Sequence, residues 1–329
     1  MQRIGIIGAG AWGTALAATA RRAGRDVVLW AHEPDIAATI NVSRRNSVYL
    51  PDVELKCGIR ATIQLAEIAD ADAVLLVTPA QHLRATLRQV APHWRAGVPA
   101  VICAKGIEQG SDCMMTEVVE AELPTAPLAV LSGPTFAIEV AKGFPTAVTL
   151  ACADEDLGQA LVQALGTPSF RPYLSSDLIG AEIGGAVKNV LAIACGIVEG
   201  RGYGDNARAA LITRGLAEMS RLAVAKGGRL ETLMGLSGMG DLILTASSVQ
   251  SRNYSLGLGL GQGRALAHIL AERKAVTEGV WSAGAVVDMA ARLGIEMPIA
   301  AAVDAVLNHA CPLDEAISQL LSRPFRAES

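Results

Sequence analysis

Apolar residues fall along the first half of the chain in short runs: Arg3–Gly8, Asp26–Ala31, Ala73–Val77, Ala100–Ala104, Leu128–Leu131 and Thr146–Ala151. Between them lie Thr14–Ala23, Gln81–Val90 and Met115–Glu122, where apolar positions recur at helical spacing. Strand-length apolar runs alternating with helices predict a mostly parallel sheet covered on both faces. From about Leu178 the pattern changes. Helical segments follow one another: Leu178–Glu199, Ala207–Ala225, Leu230–Met234, Asn253–Gln262, Ala265–Ala271, Val280–Leu293, Ile299–Asn308 and Leu313–Leu321. The pattern predicts an α/β, Rossmann-type dinucleotide-binding domain over residues 1–177. An all-α substrate and catalytic domain over 178–329 follows it.

The first strand runs into IGIIGAGAWGTALA, which places Gly8, Gly10 and Gly13 in G-x-G-x-x-G spacing between a strand and a helix. In that context Gly8 permits the turn, Gly10 admits a pyrophosphate to the backbone, and Gly13 lets the helix pack on the strand. The helix N-terminus then offers free N–H groups to phosphate. An S-adenosylmethionine site uses similar glycines and is the lesser alternative. The same residues also imitate a signal peptide, but the glycine spacing favours the strand–turn–helix. The second strand ends at Ala31 and His32, where a ribose-reading acid would stand in an NAD enzyme. His32 either stacks on adenine, faces a 2′-phosphate, or is an ordinary surface histidine. The expectation is that NADP or NAD is accepted, with NADP preferred.

Composition narrows the class. The chain has 329 residues, 51% hydrophobic and 4% aromatic, with a net charge of −4. That balance argues against a nucleic-acid surface or a polybasic membrane surface, and no apolar run predicts membrane insertion. The six cysteines have no C-x-x-C pair, so neither a metal site nor a disulfide framework is expected. A reducing, cytoplasmic setting is the simplest reading.

Four polar clusters interrupt the apolar background. GGAVKNVLAI puts Lys188 and Asn189 inside an otherwise apolar helix. An unpartnered buried ammonium is costly and loses proton affinity. Residues Ala181, Gly184, Gly185, Ala192 and Cys195 share its face and are all small, so a ligand or another chain segment can approach. A lysine that snorkels to solvent is the alternative. CAKGIE places Lys105 at a strand end, where open α/β sheets bind ligands. SGPTFA carries Gly133, Thr135 and Ala137. LSGMGDLILTASSVQSRN carries Asp241 after a glycine turn, then Ser251, Arg252 and Asn253 at a helix start. Taken singly, these are a surface lysine, a chain turn and helix caps. Taken together, they are harder to dismiss.

The ordered series GAGAWGTALA, LPDV, AKGIE, SGPTFA, GGAVKNVLAI, NARAALITRGLAEM, GMGDLILT, QSRN, TEGV and GIEMPI resembles the NAD(P)-dependent glycerol-3-phosphate dehydrogenase family, bacterial type. The resemblance covers nearly the whole chain. It implies reversible hydride transfer between NAD(P)H and dihydroxyacetone phosphate, giving sn-glycerol 3-phosphate for phospholipid synthesis. It implies Lys188 and Asp241 as catalytic residues. Lys105, Gly133, Thr135, Lys188, Asp241, Ser251, Arg252 and Asn253 fall at its substrate positions. Gly8, Gly10, Ala11, Trp12, Gly13, His32, Lys105, Ala137, Arg252, Val276 and Glu278 fall at its cofactor positions. Ala11 departs from the family's frequent serine and His32 from its frequent arginine, the latter weakening selectivity for the 2′-phosphate. A phosphorylated small-molecule substrate and a homodimer are the expected partners. A two-domain dehydrogenase acting on a hydroxy acid or imine is the enzymatic alternative, and a non-catalytic redox-reporting module is the alternative from another class.

Overall fold

The computed structural model describes residues 1–273 and 276–325. Eight strands form one sheet: β1 (Arg3–Ile7), β2 (Asp26–Trp30), β3 (Ile59–Thr62), β4 (Ala73–Leu76), β5 (Ala100–Ile102), β6 (Leu128–Ser132), β7 (Thr146–Cys152) and β8 (Phe170–Ser175). Their spatial order is β3-β2-β1-β4-β5-β6-β7-β8. Every neighbouring pair is parallel except β6 and β7, so β7 and β8 run against the other six. The expected mostly parallel sheet is present. The two edge strands, β3 and β8, are additions that the apolar runs did not predict.

The alternation of side chains explains why the central strands read as continuous apolar runs. Ile4, Ile6, Val27, Leu29, Ala73 and Leu75 enter the core on one face. Ile7, Val28, Trp30, Val74, Leu76 and Ile102 enter the core on the other. Helices cover both faces, so neither phase of the period-two pattern meets water.

After β8 the described chain contains only helices. The axis of this region is the helix Leu178–Gly200, started by the Asp177 side chain accepting from Gly180 N. Of its most apolar 18-residue window, 94% is buried inside the protein. Length and hydropathy that would suit a membrane therefore serve a core. The helix Arg252–Gly261 crosses it backbone against backbone. A β-carbon at Gly196 would sit 2.0 Å from Tyr254 O, and one at Gly257 would sit 2.0 Å from Ile193 O. Only residues without a side chain allow this approach, and it brings the start of the second helix over the middle of the first.

Candidate active site

The carboxyl ends of β1, β5 and β6 lie along one edge of the sheet, and the sequence-flagged residues gather there. Gly8 has φ +116° and would clash with the Val77 backbone if it carried a side chain. Gly13 is tighter still, with a β-carbon falling 1.8 Å from Gly8 O. Gly10, by contrast, faces open space, with nothing within 4 Å. It is followed by the helix Ala11–Arg22, whose N-terminus carries no side-chain cap. Trp12 begins that helix with its buried Nε1–H unpartnered. A tight loop, an open central glycine and uncapped helix N–H groups fit a pyrophosphate. His32 follows β2 with its ring edge-on to Trp30, centroids 6.0 Å apart, and Trp30 O accepts from Gly8 N at 3.1 Å, so the end of β2 adjoins the glycine loop.

Lys105 follows β5 and reaches two groups, Gly133 O at 3.0 Å and Asp241 Oδ2 at 2.7 Å. Lys188 Nζ donates to the other carboxylate oxygen, Asp241 Oδ1, in a short contact, and to Thr245 Oγ1 at 3.1 Å. Asp241 is fully buried between two ammonium groups separated by 83 positions in sequence (188 − 105). Burial pushes Lys188 down to about 7, Asp241 pulling against that and Lys105 adding to it. The small face around Lys188 is therefore filled by chain. A β-carbon at Gly184 would strike Ser237 O, and one at Gly185 would crowd Ser132 Oγ and the Lys105 stem. The snorkelling alternative does not hold, since Lys188 is only 5% exposed.

A π-helical turn, Leu236–Gly240, delivers Asp241 to this position. Such turns often mark functional sites because they break the regular side-chain register. Thr245 lies one helical turn beyond Asp241 and was not singled out from sequence. Its only signal was the i, i+4 spacing that places both on one face.

The remaining residues form the far side. Ser251 caps its helix, accepting from Tyr254 N at 3.2 Å. Arg252 is exposed, while Asn253 is buried. The Asn253 side chain ties two neighbouring segments together. Its amide donates to Asn189 Oδ1 at 2.9 Å, and its carbonyl oxygen accepts from Gly279 N at 3.0 Å. Asn189 in turn donates to Lys105 O at 3.3 Å. Thr135 donates to Gly133 O at 3.2 Å, and Ala137 opens the short helix Ala137–Lys142. Val276 precedes Glu278, which starts the helix Glu278–Arg292 and accepts from Ala80 N at 3.3 Å. Burial raises the Glu278 pKa, opposed by that N–H and by the charge of Arg252. Its Oε2 is buried without a partner. Among the described residues, no cluster of histidine, cysteine and acidic side chains could hold a metal ion.

Comparison with known proteins decides the family. The model of the NAD-dependent glycerol-3-phosphate dehydrogenase N-terminus matches residues 3–158, and that of the C-terminus matches 177–318. The chain belongs to the NAD-dependent glycerol-3-phosphate dehydrogenase family. It is 63% identical to a glycerol-3-phosphate dehydrogenase [NAD(P)+] of Rhodospirillum rubrum, over 100% of this chain and 94% of that one. It is 58% identical to its counterpart in Parvibaculum lavamentivorans, over 100% and 98%. The crystal structure of glycerol-3-phosphate dehydrogenase from Coxiella burnetii superposes with a TM-score of 0.94 at 39% identity, covering 98% of this chain and 99% of that one. Family membership makes the chain an NAD(P)-dependent oxidoreductase, as the glycine loop and its context anticipated.

Proposed function

We propose that the chain interconverts dihydroxyacetone phosphate and sn-glycerol 3-phosphate, with Lys188 as the general acid and base. The carrying observation is Lys188 itself, buried, poised near neutrality and held by Asp241 and Thr245. A general acid–base works best when its pKa lies near the working pH. An ammonium has three donors. Lys188 spends two on Asp241 and Thr245, leaving one for a substrate oxygen. When bound, the nicotinamide supplies the hydride to C2 of the ketone. Lys188 polarises the carbonyl and gives its proton to the developing alkoxide. In the reverse direction the neutral amine keeps both hydrogen bonds, and its lone pair takes the hydroxyl proton. Lys105, also with two of three donors spent, adds positive charge beside the same oxygen.

Arg252, exposed at a helix start, combines forked donors with backbone N–H groups and suits the phosphate. Asn253 serves this role through its links to Asn189 and Gly279. Ala11, Trp12, His32, Ala137, Val276 and Glu278 line the cofactor, with NADP preferred over NAD. Residues 1–177 carry the cofactor, and 178–329 carry the lysine. The enzyme is assigned to the cytoplasm as a homodimer, supplying phospholipid synthesis. The test is an absorbance assay with dihydroxyacetone phosphate and either NADPH or NADH. Oxidation of both, with higher kcat/KM for NADPH, is expected. No oxidation of either would refute the reading, and a large preference for NADH would refute the cofactor assignment alone.

A further inference from the structure

Arg273 precedes the helix Glu278–Arg292 and turns its guanidinium onto the first turn of Arg252–Gly261. One terminal nitrogen donates to Arg252 O at 2.5 Å and to Thr277 Oγ1 at 3.3 Å. The other donates to Ser255 Oγ at 2.9 Å. The side chain thus ties two segments together, the helix start that presents Arg252 and the stretch that leads to Glu278. It also places a second guanidinium beside the first. The adjacent acid, Glu272, is committed to Arg264 at 2.6 Å. Glu278 acts on Arg252 only through space, its Oε1 taking the Ala80 N–H. Among the described residues no carboxylate forms an ion pair with Arg252 or Arg273. Burial, and then the charges of Arg252 and Arg264, depress the proton affinity of Arg273. Glu278 and Glu272 offset these charges only through space, so two neighbouring cations without an ion-paired carboxylate repel each other, and a bound dianion relieves that repulsion.

We propose that Arg273 is a positioning residue that selects the charge of the substrate: it pins the Arg252 peptide and adds a second positive charge, favouring a phosphate dianion. The inference rests on the assignment of Arg252 to the substrate phosphate. A glutamine keeps polar length and removes the charge, whereas lysine keeps the charge and loses the fork.

The experiment compares wild type, R273Q and R273K in steady-state reduction of dihydroxyacetone phosphate, with inorganic phosphate as competitive inhibitor. In R273Q, KM for dihydroxyacetone phosphate and the inhibition constant of inorganic phosphate are expected to rise together, each by about tenfold. The kcat should stay within about twofold and the KM for NADPH should hold; R273K should recover part of the loss. If KM and the inhibition constant stay at wild-type values, the proposal is overturned. It is overturned equally if kcat and the melting temperature fall while the KM for NADPH rises with the other two constants, since Arg273 would then be a structural tie alone. Absence of turnover in the wild type would instead refute the functional reading, and this inference with it.

Discussion

Asn253 donates its side-chain amide to Asn189 Oδ1 at 2.9 Å, across 64 positions of sequence, with both residues buried. Because Asn189 sits next to Lys188, and Asn253 next to Arg252, this bond ties together the residues proposed for proton transfer and for phosphate binding. Asn253→Ala leaves Asn189 Oδ1 and Gly279 N–H without partners. A loss of about 1–3 kcal/mol in stability is expected. The KM for dihydroxyacetone phosphate should rise as well. Chemical denaturation and steady-state kinetics on one preparation check both, and a variant with wild-type KM would sever the proposed link.

The two lysines around Asp241 make opposite predictions for two substitutions. Lys188→Met leaves Asp241 paired with Lys105, so charge stays balanced and the melting temperature should hold. Turnover should fall by ~10²–10⁴, the scale of a lost general acid. Asp241→Asn leaves two ammonium groups facing each other in a buried site. It should cost about 3–5 kcal/mol, as removal of one member of a buried ion pair does. Thermal unfolding of the two variants side by side decides the matter. Equal destabilisation would show that Lys188 is structural.

Three buried groups give the stability an unusual dependence on pH. Burial raises Glu182 and Glu218 to about 7, against the backbone and hydroxyl donors of Thr116 and the N–H groups of Ile299 and Ala300. Folding makes these two bind protons between about pH 4.3 and 7, so their contribution is lost as pH rises through that window. Lys188, lowered to about 7, does the opposite. The unfolded chain binds the extra proton between about pH 7 and 10.4, so stability from this group grows with pH there. The summed contribution has a minimum near neutrality. Denaturant midpoints from about pH 5 to about pH 9.5 should show it. Glu182→Gln should flatten the acid limb and Lys188→Met the alkaline limb. Limbs that persist in these variants would contradict the assignment.

Gly10 and Gly13 should separate binding from folding. Alanine at Gly10 enters open space, so the protein should fold normally and bind NADPH more weakly, by about tenfold. Alanine at Gly13 would put its β-carbon 1.8 Å from Gly8 O and should reduce the yield of folded protein sharply. Cofactor titration of Gly10→Ala, and the soluble yield of Gly13→Ala, are the two readings. Normal affinity in the first would remove Gly10 from the cofactor site.

The central strands and the long helices were legible because both faces of each strand are apolar and each helix buries a continuous stripe. β3 (IRAT) and β8 (FRPYLS) were not. They lie at the sheet edges, carry arginine or proline, and are only partly buried, so no apolar run announces them. Individual site residues stood out by chemistry, Lys188 most of all, since a charge in an apolar helix has few explanations. Their convergence did not, because Lys105 and Asp241 meet across 136 positions. Thr245 was missed because threonine in a helix signals nothing without its neighbour. The sequence put Asn253 at a helix start but could not show that its side chain engages Asn189 and Gly279.

The reversal at β7 has a consequence for how the lysine reaches its place. Because β7 and β8 run backwards, the chain leaves the sheet at the edge opposite the glycine loop. The helix Leu178–Gly200 must then travel back across β6 and β7. Ala181 shares a core with Val130 and Ala151, whereas Gly185 has reached Ser132 at the strand's end. At 1.5 Å per residue, the ten steps from Leu178 to Lys188 span about 15 Å. The stretch before the lysine is a measuring rod, and its length in residues is part of the chemistry. One residue inserted between Leu178 and Lys188 would advance the ammonium by about 1.5 Å and swing it about 100° around the axis. Asp241 would then face Val187 or the inserted residue, in a protein whose hydropathy had scarcely altered.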